Sequence, residues 1–64
     1  MESFTPQLKR LLLAAGCEFV RHGKGDHELW RSPITRTHFV VDSTIKSRHT
    51  ANAVLRQAGL PKQF

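Results

Sequence analysis

Four histidines stand at positions 22, 27, 38 and 49 of this 64-residue chain, in a setting of ten Lys and Arg against five Asp and Glu. Imidazole titrates near neutrality, so it can take up and release protons at cellular pH. His27 has the most distinctive surroundings. It follows "HGKGD", with Lys24 between Gly23 and Gly25 and with Asp26 directly before it. Its type and place leave three roles open: turn residue, core residue or catalytic group. RNA is the substrate on which the third role needs least, because RNA carries its own nucleophile, the 2′-OH. A histidine base that activates this hydroxyl, with Lys or Arg offsetting the charge gathered on phosphorus, would leave a cyclic phosphate and a free 5′-OH. Such chemistry requires neither a metal nor another cofactor. The histidines show no i, i+4 pair and Cys17 is the one cysteine, so no metal centre is expected.

The second chemical cluster is "STIKSRHTAN", residues 43 to 52, where Lys46, Arg48 and His49 crowd the start of a helix. Cations there oppose the helix dipole and cost about 0.3–1 kcal/mol each at low salt. The same helix end offers free backbone N–H groups to an anion. A phosphate would reconcile the two, and a solvated charged turn is the plainer alternative. Arg21 and Lys24 at the first hairpin are the other cations placed to meet a phosphate chain, with Lys9, Arg10 and Arg56 on helices. His38 is read as an exposed strand residue, and His22 has no assigned role.

The elements that must position these groups follow from periodicity. Residues 5–15 read as a helix, with Thr5 as N-cap, Pro6 in the first turn, and Leu8, Leu11, Leu12 and Ala15 on one stripe before Gly16. Residues 17–22 and 26–32 read as strands joined by "GKG", the second with His27, Leu29 and Arg31 on one face and Glu28 and Trp30 on the other. "SPIT" turns the chain into a third strand, residues 36–42. A second helix spans 48–58, with Ser47 as N-cap, Ala51, Val54, Leu55 and Ala58 as its apolar stripe, and Gly59 as its stop. Phe19, Phe39 and Cys17 are expected in the core, and Trp30 either there or on a contact surface. The order α-β-β-β-α predicts an α+β fold: a three-stranded antiparallel sheet with both helices on one face, resembling the double-stranded-RNA-binding domain.

Length and charge narrow the function further. The chain is expected to form one domain over residues 1–64, with a thin core and no cleft between domains. Catalysis would then occupy an exposed surface, which suits a polymeric substrate better than an engulfed metabolite. The net charge of +5 attracts polyanions; nucleic acid, an acidic protein and an anionic membrane all satisfy it. No disulfide can form within the chain, and neither a signal peptide nor a membrane span is recognisable, so a soluble cytoplasmic protein is expected.

"LLLAAGCEFVRHGKGDHELWRSPIT" followed by "IKSRHTANAVLRQAGL" resembles the HicA toxins of HicAB toxin–antitoxin modules, and the likeness runs from Leu8 to Leu60. It includes the helix ending in Ala-Gly, the glycine-basic hairpin that leads to a histidine, and the closing "LRQAGL". The resemblance implies the double-stranded-RNA-binding-like fold and the activity of an mRNA interferase, held inactive by a HicB antitoxin in a type II system. It also implies that His27, preceded by Gly25, is the active-site histidine, and that the antitoxin covers the His27 region. Asp26 stands where many members have Ser, either orienting the imidazole or capping the turn. For a second proton carrier Asp26, Glu28, His49 and solvent all stay open. The competing reading is a non-catalytic RNA-binding module that uses the same basic surface; a third is a small protein whose basic face only meets an acidic partner.

Overall fold

The computed structural model describes residues 3–64. Helix α1 spans Thr5–Ala14, strands β1, β2 and β3 span Glu18–His22, His27–Arg31 and His38–Asp42, and helix α2 spans Arg48–Gln57. The order and type of every element match the periodicity, and the ends are shorter by one or two residues, where helices and strands fray. The strands form one antiparallel sheet in the order β1-β2-β3.

Alternation along the strands gives the sheet a dry face and an open face. Trp30, Phe39 and Val41 are buried and meet Leu8 and Leu12 of α1 and Ala51, Val54 and Leu55 of α2 in one core cluster with Cys17, Ile45 and Ala58. Both helices therefore cover the same face. His27, Leu29 and Arg31, with their partners Asp42, Val40 and His38, share the other face, which no helix covers. Trp30 is thereby a core residue and not a contact surface.

Strand β1 departs from simple alternation. A bulge between Phe19 and Arg21 leaves Phe19 opposite Trp30 but sets Arg21 opposite Leu29. Without the extra residue, Val20, the two side chains would share a face; with it, Phe19 stays on the helix side and Arg21 turns to the open side. Phe19 does not enter the core as expected. On an edge strand it is 43% exposed, touching Trp30 edge-on at 6.3 Å between ring centres.

Helix ends show what sets the layers. Both helices close as their glycines predict, Cys17 N–H reaching Leu12 O at 2.9 Å and Leu60 N–H reaching Leu55 O at 2.8 Å. At Gly59, φ is +82° and a Cβ would lie 2.7 Å from Ile34 Cγ2, so the helix end is packed too closely on the β2–β3 turn for a side chain. Ser47 does hold the N-cap position of α2, without a side-chain cap bond. Thr5 is not the cap of α1: Phe4 occupies that position, and the buried Thr5 hydroxyl is used elsewhere. It donates to Asp42 O at 3.1 Å and accepts from Ile45 N–H at 2.9 Å, while Phe4 N–H donates to Ile45 O at 2.7 Å. Tertiary bonds have displaced a local one. Replacing Thr5 with Val keeps its volume but leaves the buried Ile45 N–H unpaired. Chemical denaturation should show a loss of about 1–3 kcal/mol, and Thr5→Ser should retain most of the stability.

Candidate active site

The β1–β2 hairpin places His27 through its backbone. Gly23 N–H donates to His27 O at 2.8 Å, His27 N–H donates to Lys24 O at 3.2 Å, and Gly25 takes φ +59° at the tip. That left-handed turn is where a glycine is required; Gly23 serves differently. A Cβ there would lie 3.5 Å from His27 Cβ, so the missing side chain leaves space beside the histidine. His27 opens β2 on the uncovered face and its side chain is 53% exposed. It is not a core histidine.

Directly across the sheet, Asp42 closes β3 as the register partner of His27. His27 Nδ1 lies in direct contact with Asp42 Oδ1, an ion pair whenever the imidazole is protonated. Asp42 is the residue that the sequence reading missed. The signal was countable: once the turn closes Arg31 onto His38, antiparallel pairing brings His27 opposite Asp42. Beyond the pair, Ser43 N–H donates to Asp26 O at 3.0 Å and extends the contact between the two chain segments.

Two shallow hollows flank the imidazole. A polar one of about 450 Å³ is lined by Gly25, Asp26, Asp42, Ser43 and Thr44, and a more apolar one of about 390 Å³ by Arg21, Gly23, Glu28, Leu29 and Val40. Lys24 and His27 line both. The structure thus gathers three of the expected site residues, Arg21, Lys24 and His27, around one surface, with Arg21 brought there by the bulge. Arg48 and His49 lie apart from it, in a groove with Asn52, Arg56, Lys62 and Phe64 between α2 and the C-terminal segment. Lys46 is exposed on the β3–α2 connection and lines neither.

Glu28 belongs to the opposite face. It accepts from Trp30 Nε1–H at 2.9 Å and from Lys9 Nζ at 3.0 Å, tying α1 to the sheet. Both its carboxylate oxygens are engaged, by Lys9 and Trp30, so Glu28 is not free to serve as a proton carrier. Lys9 is likewise engaged and not a free phosphate contact. Above all the Trp30 hydrogen bond, and then Lys9, hold the Glu28 carboxyl below its ordinary range, against the opposing effect of burial.

The fold and this surface define a small α+β domain of the double-stranded-RNA-binding-like kind, with a histidine presented among cations on its open face. The chain belongs to the HicA toxin family: a family model described as the HicA toxin of bacterial toxin–antitoxin matches residues 6–60. It is a toxin component of such a pair, and an antitoxin is its counterpart. No curated protein and no solved structure matches the chain. Among the described residues, no helix is long and apolar enough to cross a membrane.

The Glu28 network yields a pH prediction. A carboxyl whose folded pKa is depressed adds stability that is present above its unfolded pKa and lost as pH falls through the folded one. Glu28→Gln should therefore be less stable than the unaltered protein near neutrality. The gap should close in acid, as thermal melts at about pH 7 and about pH 3 would show.

Proposed function

We propose that the protein is a metal-independent endoribonuclease that cleaves mRNA, with His27 as its general acid/base group, acting as the base in the cleavage step. The observation that carries this reading is a half-exposed imidazole paired with a carboxylate and set between Arg21 and Lys24 on an open sheet face, in a chain of the HicA toxin family. An open face suits a polymer laid across it. The imidazole takes the proton of a 2′-OH as the O2′–P bond forms and the P–O5′ bond breaks. The departing 5′ oxygen takes a proton from water, and the imidazolium returns its own to solvent. A 2′,3′-cyclic phosphate and a 5′-OH result. Lys24 and Arg21 offset the negative charge on the equatorial oxygens, which grows in the transition state. Because the nucleophile is part of the substrate, no cofactor has to generate one.

Lys46, Arg48 and His49 hold the RNA backbone further from the cut, through charge and the free N–H groups at the start of α2. The antitoxin, a HicB-like protein, silences the enzyme in the cytoplasm by covering the His27 region. The half-exposed Val40 beside His27 gives that cover an apolar anchor.

Purified protein incubated with RNA in EDTA should yield fragments ending in cyclic phosphate. His27→Ala should reduce the rate by about 10²–10⁴, the usual contribution of a positioned acid or base, and leave the folded spectrum unchanged. Cleavage by His27→Ala at the original rate would sink the mechanism. Salt-sensitive binding without product would make the protein a binding module instead.

A further inference from the structure

We infer that Asp42 is the residue that orients His27, and that Nε2 is the nitrogen that exchanges protons with RNA. This rests on the nuclease reading and assigns the parts of that site. A neutral imidazole has one donor and one acceptor nitrogen, and an ionised carboxylate can only accept. Asp42 Oδ1 faces Nδ1, so the neutral ring must carry its proton there. Nε2 is left with its lone pair free, as a general base requires. Once Nε2 has taken the proton, the same carboxylate faces a cation and stabilises it. A flipped ring would set a carbon against the carboxylate and lose both effects.

Backbone geometry makes this pairing a property of the fold and not of a wandering side chain. His27 and Asp42 are cross-strand partners at one end of the β2–β3 ladder. The Asp42 carbonyl is held by the buried Thr5 hydroxyl, and the Ser43 N–H by Asp26 O. The charged groups around the imidazole are Asp42 from β3, Arg21 from β1, Glu28 from β2 (its carboxylate held by Trp30 and Lys9), and Lys24 and Asp26 from the hairpin loop. Of these, Asp42 is the one in contact with a ring nitrogen. Asp26, directly before the histidine, shares the polar hollow and takes the Ser43 N–H on its backbone carbonyl, while the ring contact is made by Asp42.

The pair is half-exposed, with Asp42 44% accessible, and exposed ion pairs add little to stability. Removing the carboxylate should therefore leave the fold intact and change the ring. Long-range ¹H–¹⁵N spectra of ¹⁵N-histidine-labelled protein report which nitrogen bears the proton. Neutral His27 should be protonated on Nδ1 in the unaltered protein, and on Nε2, the form a free imidazole prefers, in Asp42→Ala. In RNA cleavage, kcat of Asp42→Ala should fall on the order of 10–100-fold, part of the ~10²–10⁴ of a positioned acid or base, with KM little changed. An unaltered protein with its proton on Nε2, or Asp42→Ala cutting at full kcat, overturns the assignment. If the unaltered protein cuts no RNA at all, the nuclease reading falls, and the nitrogen spectra alone decide whether Asp42 orients the ring.

Discussion

The Thr5 hydroxyl joins the start of α1 to the end of β3, and much of the structure hangs on that junction. A chain of this length buries only roughly 60% of the surface it exposes when unfolded, so its core cannot hold the layers in register by area alone. Directional bonds have to do part of it. Thr5 takes the Ile45 N–H and gives its proton to the Asp42 carbonyl, while Phe4 N–H closes onto Ile45 O. At the other end of the molecule the buried Ser32 hydroxyl donates to Ala58 O at 2.6 Å and accepts from Ile34 N–H, joining β2 to the end of α2. Two small hydroxyls thus pin opposite ends of the sheet, one to each helix. Both stand at the end of an element, where backbone groups would otherwise lack partners.

One consequence is that packing groups and exposed polar groups divide between the faces of the sheet. The covered face carries Trp30, Phe39, Val41 and the Lys9–Glu28–Trp30 network, all concerned with holding α1 and α2 down. The open face carries His27, Asp42 and Arg21, with Leu29 and Val40 beside them. Side chains there face water, so altering them disturbs the fold little. The bulge at Val20 is the device that lets an edge strand serve both faces, keeping Phe19 over Trp30 while turning Arg21 outward.

Apolar stripes, glycine stops and strand alternation made the element order, both helix faces and the opposition of His27 to Trp30 legible from the residues. Each of these depends on contacts close along the chain or on simple periodicity. The misses share another cause. Thr5 has the composition of an N-cap, and a partner 37 residues away in sequence claims its hydroxyl. Phe19 has the composition of a core residue, and an edge position with a bulge exposes it. Asp42 ended the expected third strand with no assigned role, although the register that sets it against His27 needed only the place of the turn. The Lys46–Arg48–His49 cluster was visible as a cluster, but its separation from the hairpin cations depends on how the helix layer sits on the sheet, which local pattern does not encode.

The Gly-Asp-His run at the hairpin draws attention to the wrong carboxylate. Asp26 lies in the turn before β2 and shares the polar hollow with His27, but it is Asp42 that contacts a ring nitrogen. The residue across the ladder is well placed, because directly opposed Cβ atoms in an antiparallel pair lie only about 4.5–5.5 Å apart. A histidine at a strand end is therefore oriented from the neighbouring strand, and its partner comes from a distant stretch of sequence. Here that stretch is the end of β3, which Thr5 fixes to the first helix. The His27–Asp42 pair is completed only when α1, β2 and β3 have all come together, so its geometry is a product of the tertiary fold and not of the hairpin that displays the histidine.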